Sequence, residues 1–327
     1  MGYEQFATYD TSGSHGTGVD EANKYTAIIP READDSQVGS DAAKAYRQAN
    51  YRYGTGVASS VINGGHVHKA YGGSNEKGNI SGEINSQIQQ VGTCPIVTDG
   101  TYGGSKSADT DATIIVILDC VENGGEFYGG SYKANINSDV NIHITNGHYT
   151  KVFGGNDRAG TVNGKITITI EEYGCTPIVI DELYAGGNLA PYSVYGFKTE
   201  TEKAKDAAGN IIPDLDQRIP YRPGEVGART TPYWDPRINI ISATRIGAIY
   251  GGGYGAGATL IGNPHINVNM TTGRIRAKYA DDYPSLPDAP DGSGDKVISL
   301  GNIGSIYGGG NLASVEGDTY EEIGTGQ

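Results

Sequence analysis

Apolar and polar residues alternate in short runs along this chain. Val140, Ile142 and Ile144 enclose Asn141 and His143, and Ile166, Ile168 and Ile170 enclose Thr167 and Thr169. Ile266 and Val268 continue the pattern with Asn267 and Asn269. A period of two marks a strand with one buried face. It predicts that Ile142, Ile144, Ile166, Ile168, Ile266 and Val268 point inward. Asn141, His143, Thr167, Thr169, Asn267 and Asn269 then line an outer face, as a solvated surface or as a platform for glycan hydroxyls.

A second signal recurs with the strands. An aromatic stands before two glycines at Tyr71, Tyr102, Tyr128, Phe153, Tyr250 and Tyr307, with a variant at Tyr184-Ala185-Gly186-Gly187. From first glycine to first glycine the steps are 31, 26, 25, 32, 65 and 57 residues. A recurring period of this size marks stacked repeats, because one unit cannot bury its apolar face alone. One repeat of extended chain is about 80 Å of path at ~3.3 Å per residue, enough for three short strands and three corners. A propeller blade needs roughly 40–50 residues. The predicted fold is all-β: a parallel β-helix (β-solenoid) of roughly 25-residue coils with aromatic-Gly-Gly corners and two long loop insertions. The paired glycines are expected where a side chain will not fit or φ is positive. The rings before them are expected to stack into an internal ladder; the alternative is an exposed stripe that binds sugars.

This pattern divides the chain. Residues 1–50 show no repeat and read as an irregular N-terminal segment or loop excursion, with one short helix predicted at 40–50. Residues 51–190 read as coils, 191–236 as a long loop insertion, and 237–327 as coils with a second insertion at 271–298. The last two steps carry long loops or hide a divergent coil. Both insertions follow a Gly-Gly corner, so they are expected to project near each other. The first holds Tyr192, Tyr195, Tyr233 and the single tryptophan, Trp234. Long loops are usually functional or disordered. These rings are therefore candidates for stacking on sugars, or else staples that fix the loop to the scaffold. The last repeat starts at Tyr307 without a polar cap, and no signal peptide begins at Met1, so the sequence reads as a piece of a longer protein.

Composition narrows the partners. Glycine is 51 of 327 residues, which with Ile, Val, Thr and Tyr runs between turns favours β structure. The net charge of −14 disfavours nucleic acid, whose phosphates would be repelled. No apolar run is long enough to span a bilayer. Cys94, Cys120 and Cys175 have no metal spacing and are expected to be free or buried thiols. Cys94 and Cys175 precede similar Pro-Ile-Val runs and are candidates to stack in neighbouring coils.

Candidate chemistry is sparse. Gly154-Gly155-Asn156-Asp157 resembles the opening of a calcium-binding nonapeptide but occurs once, so no cofactor is expected and calcium has no motif behind it. Asp157-Arg158 and Asp281-Asp282 lack the paired partner that a glycoside hydrolase needs. His66 and His68 have no nucleophile or metal partner spaced with them in sequence. No catalytic set emerges.

Several runs carry a resemblance: Tyr184-Ala-Gly-Gly-Asn-Leu-Ala-Pro-Tyr-Ser-Val-Tyr-Gly196, Ile249-Tyr-Gly-Gly-Gly-Tyr-Gly255, Ile261-Gly-Asn-Pro264 and Ile306-Tyr-Gly-Gly-Gly-Asn-Leu-Ala-Ser-Val-Glu-Gly-Asp318. Together they resemble the large, secreted, Gly-rich repeat proteins of gut Bacteroidetes, adhesin-like surface β-helices. The resemblance implies an extracellular or cell-surface location. It implies a structural and adhesive segment whose partners are glycans, host or cell-surface proteins, and neighbouring repeats of the same chain. The alternative is a polysaccharide-active lyase or glycoside hydrolase, or a carbohydrate-binding module, on the same scaffold. A phage-type fibre would need trimer contacts, and no heptads are present.

Overall fold

The computed structural model describes residues 57–89, 96–193, 195–197, 218–220 and 235–324. The helix expected at 40–50, Cys94, Tyr233, Trp234 and most of the first insertion lie outside the described residues.

The chain is all-β, and consecutive strands enter two sheets in turn. The first sheet has eight strands: Val57–Ile62, Glu83–Gln89, Thr113–Asp119, Val140–Ile144, Ile166–Glu171, Arg237–Ser242, His265–Val268 and Tyr320–Ile323. The second has seven: Gly65–Tyr71, Ile96–Tyr102, Asn123–Tyr128, Gly147–Phe153, Ile178–Tyr184, Arg245–Tyr250 and Asn302–Tyr307. Pairing is parallel from Glu83–Gln89 onward in the first sheet and throughout the second. A third, thinner row starts as single parallel bridges from Thr110 to Ile136 to Val162. It continues in the parallel strands Tyr192–Ser193, Leu260–Ile261 and Val315–Glu316.

The inward rows explain why the strands stack. Val116, Ile142, Ile168, Ile238 and Ile266 occupy one register position in consecutive strands, and all are buried. β-Branched side chains pack well on such a pleated surface. The second sheet adds Phe127, Val152, Leu183 and Ile249, and the third row adds Ile136, Val162, Tyr192 and Leu260, to one continuous apolar cluster.

The second sheet has a break in its alternation. In Gly147–Phe153, Tyr149 is buried, Thr150 and Lys151 are not, Val152 joins the main core, and Phe153 is buried in a different cluster. The same sequence of roles holds for Ile180, Asp181, Glu182, Leu183 and Tyr184. The rings before the glycines do stack, but away from the main apolar core. They form a separate cluster of Tyr102, Tyr128, Phe153 and Tyr184, flanked by Tyr71, Tyr132, Tyr250 and Tyr254. The expected internal ladder is therefore present, as a second buried cluster beside the main one.

The glycines are required by close approach. A Cβ on Gly103 would lie 2.4 Å from Gly129 O, and one on Gly72 would lie 2.3 Å from Gly103 O. Neither glycine is in the left-handed region, which is occupied instead by strand-entry glycines such as Gly65 and Gly147.

Neither long step adds a strand to the second sheet among the described residues. Tyr184 pairs directly with Tyr250, and Tyr250 with Tyr307. The first insertion runs from the third row at Tyr192–Ser193 to the first sheet at Arg237. The second lies between the first-sheet strand His265–Val268 and the second-sheet strand Asn302–Tyr307. They therefore leave from different connections of the repeat. The second insertion folds back: Gly273–Ile275 pairs parallel with Tyr173–Gly174 and antiparallel with Lys296–Ile298. Its 3-10 helix, Ala277–Asp282, brings the Tyr279 hydroxyl to 3.3 Å from Cys120 Sγ.

Cys120 and Cys175 form a disulfide with Cα atoms 5.4 Å apart, which corrects the expectation of free thiols. Sequence spacing hid the pair because 55 residues separate its members. Asn146, at the intervening corner, donates to Asp119 Oδ1 and accepts from the Val121 amide. Arg276 from the second insertion donates to the same Asp119 oxygen at 2.5 Å.

Candidate functional site

The outer face of the first sheet takes shape from strand register. Asn141 lies opposite Thr167, and His143 opposite Thr169. The row through Asn141 and Thr167 begins at Asn85 and Ile115 and continues to Arg237 and His265. The row through His143 and Thr169 begins at Gln87 and Ile117 and continues to Asn239 and Asn267. Asn267 Nδ2 donates to Asn239 Oδ1 at 2.9 Å, and His143 Nε2 lies 3.1 Å from Glu171 Oε2. Four of the expected platform residues are thus contiguous, Asn267 lies two strands further, and Asn269 is exposed just past its strand. Ile115 and Ile117, the latter 40% exposed, make the platform less uniformly polar than expected. Asn239 was missed, although Arg237-Ile238-Asn239-Ile240 carries the same alternation.

The insertion rings fare differently. Tyr192 is buried, and its hydroxyl donates to Gly164 O at 2.8 Å. It is a core residue of the third row and not a sugar-stacking ring. Tyr195 lies in the strand Tyr195–Phe197, which pairs with Arg218–Pro220.

The aromatic stack is a continuous column. Ring centroids from Tyr71 through Tyr102, Tyr128, Phe153, Tyr184 and Tyr250 to Tyr307 are 4.7–5.0 Å apart, with planes within 13° of parallel. The three buried tyrosines of the column, Tyr102, Tyr128 and Tyr184, each place their hydroxyl on an acceptor, as burial demands. Tyr128 donates to Glu126 and Tyr184 to Glu182, both at 2.8 Å and both two residues back. At the equivalent position Lys151 precedes Phe153, a ring with no hydroxyl to satisfy. Lys151 turns instead to Glu182 at 3.3 Å and to the face of Tyr254, 3.8 Å from the centroid. Tyr102, with Gly100 two residues back, donates to Asp157 at 2.9 Å. Burial, reinforced by the nearby carboxylates, pushes the ionisation of Tyr102 and Tyr128 well above the normal phenol range.

Asp157 is therefore a structural acid. It is buried and also accepts from Asn188 Nδ2 at 2.9 Å, with Arg158 Nε 3.2 Å away. Asp281 and Asp282 sit exposed at the end of the 3-10 helix.

The outer face of the second sheet holds a group that sequence spacing did not reveal. His66 Nε2 lies 3.0 Å from Asp99 Oδ1, and His68 Nδ1 lies 2.6 Å from Asp99 Oδ2. The two imidazoles hold the Asp99 carboxyl below its ordinary range, the hydrogen bond with His68 contributing most. Further along this face, Asp181 pairs with Arg245 at 2.5 Å and has His148 Nε2 at 3.7 Å.

No protein-family model, no curated protein and no solved structure matches the chain.

Proposed function

We propose that this chain is a length of parallel β-helix with a structural and adhesive role, part of a secreted or surface-anchored repeat protein of the adhesin-like kind it resembles. One observation carries the reading. The inner rows keep the same register and apolar character from repeat to repeat, while the outer rows vary among Asn, Thr, His, Ile and Arg. A scaffold whose inside is fixed and whose outside is variable is suited to display. Rows spaced by ~4.8 Å present amides and hydroxyls repeatedly to an extended glycan or a protein surface, and weak contacts in series add through avidity. The binding face in this reading is centred on Asn141, His143, Thr167 and Thr169. The polysaccharide-enzyme alternative loses its best acid, because Asp157 is engaged by Tyr102 and Asn188.

The test is retention on an immobilised panel of plant, host and microbial glycans and host cell-surface proteins. The wild-type chain should be retained by at least one member. The triple variant Asn141→Ala, Thr167→Ala, Thr169→Ala should lose retention while melting at the same temperature. Retention unchanged in the variant would move the contact off this face. New reducing ends or unsaturated uronates released from any polysaccharide would overturn the structural role in favour of an enzyme.

A further inference from the structure

Two imidazoles and one carboxylate meet on the outer face of the second sheet. His66 and His68 are two apart on the strand Gly65–Tyr71, so the strand period places both rings on one side. The next strand lies in parallel register, with Val67 opposite Thr98 and Lys69 opposite Gly100. That register delivers Asp99 beside His68. The side chains are 52%, 83% and 53% exposed, so solvent ions reach them freely. The neighbouring cation, Lys69, leans toward the ring of Tyr132, 5.8 Å from its centroid. Asp99 is thus left to the two histidines.

We propose that His66, His68 and Asp99 bind one divalent transition-metal ion of the zinc class. The donor atoms lie within 4.8 Å of one another. Bonds of ~2.0–2.1 Å in a tetrahedral shell set neighbouring donors about 3.3 Å apart. His66 Nε2 lies 3.0 Å from one Asp99 oxygen, Oδ1, and His68 Nδ1 lies 2.6 Å from the other, Oδ2, so the carboxylate already sits between the two rings. The rings have centroids 4.7 Å apart and planes 52° from parallel, so small rotations of exposed side chains complete the shell. Two neutral imidazole nitrogens and one carboxylate oxygen are three of the four ligands of an open zinc site, with the fourth left to water or a partner's side chain. The same set suits calcium poorly, since calcium takes six to eight oxygens. The ligands come from adjacent repeats, so a bound ion clamps one repeat to the next. The site needs only the pairing of two strands and does not rest on the display reading above.

The full chain should be titrated with ZnCl2 by calorimetry, with CaCl2 in parallel. The expected result is one zinc ion per chain at this site and no calcium binding there. His68→Ala and Asp99→Asn should each weaken that binding by about tenfold or more, since even outer partners of metal ligands commonly contribute that much. His148→Ala, at an exposed histidine away from the site, should leave it unchanged. In the wild-type chain, ZnCl2 should also protect His66 and His68 from diethylpyrocarbonate, read by peptide mass spectrometry, while His143 stays reactive. Zinc uptake unchanged in the His66→Ala, His68→Ala double variant, or equal modification of all three histidines with and without zinc, would overturn the proposal.

Discussion

Val152 and Phe153 are consecutive residues that belong to different apolar clusters. Val152 packs in the main core with Leu183 and Ile249, whereas Phe153 stacks between Tyr128 and Tyr184 outside it. The second sheet therefore carries apolar packing on both faces at its glycine end. The glycines that follow make this possible, since they let successive repeats approach closely where the rings pile up.

The stack makes the partner of each hydroxyl testable. Glu126→Ala should remove the acceptor of the Tyr128 hydroxyl and destabilise the chain by about 1–3 kcal/mol, the usual cost of stranding a buried polar group. Adding Tyr128→Phe should restore part of the loss, as Phe153 does naturally above Lys151. A urea-denaturation double-mutant cycle measures this; strict additivity of the two substitutions would show that the pair does not interact.

Glycine position should matter by location. Gly103→Ala drives a Cβ to 2.4 Å from Gly129 O and 2.8 Å from Val116 Cγ2, so a loss of about 1–3 kcal/mol or more is expected from overpacking. Gly309→Ala meets nothing within 4 Å and should be neutral or slightly stabilising, by ~0.4–1 kcal/mol through the unfolded chain. Thermal melts of the two variants side by side decide it.

The in/out register predicts an asymmetry between neighbours. Ile168 is fully buried between Ile142 and Ile238, and Ile168→Asp should cost roughly 4 kcal/mol or more by burying an unpaired charge. Thr167→Asp, on the outer row beside Asn141 and Arg237, should change stability by less than about 0.5 kcal/mol. Equal melting temperatures for the two variants would contradict this register.

Glu172 should give the chain a pH dependence of a particular sign. It is buried, and its Oε1 accepts from the Ile178 amide and from the Thr244 amide and hydroxyl. Among the described residues its Oε2 has no hydrogen-bond partner. Burial, only partly offset by those three donors, raises its carboxyl above the ordinary range. The folded chain then holds this proton where the unfolded chain has released it, so stability falls as pH rises from the ordinary glutamate range through the raised folded value. Glu172→Gln keeps the accepting oxygen and should flatten that part of the stability–pH curve measured by denaturation at several pH values. An unchanged slope would place the dependence elsewhere.

By itself the sequence determined the all-β character, the repeat at aromatic-Gly-Gly and the inward rows of Ile142, Ile168 and Ile266. These follow from local rules, since side chains alternate along any strand and a repeat that cannot bury itself must stack. Only the tertiary structure decided the rest. It put the ring of Phe153 in a second buried cluster apart from the main one, because Thr150 and Lys151 both leave the core side and shift the alternation by one position. It buried Tyr192 in the third row, joined Cys120 to Cys175 across 55 residues, and set Asp99 between His66 and His68. Each of these depends on the register between repeats of unequal length, which is set by how the inner rows pack and which spacing along the chain does not encode.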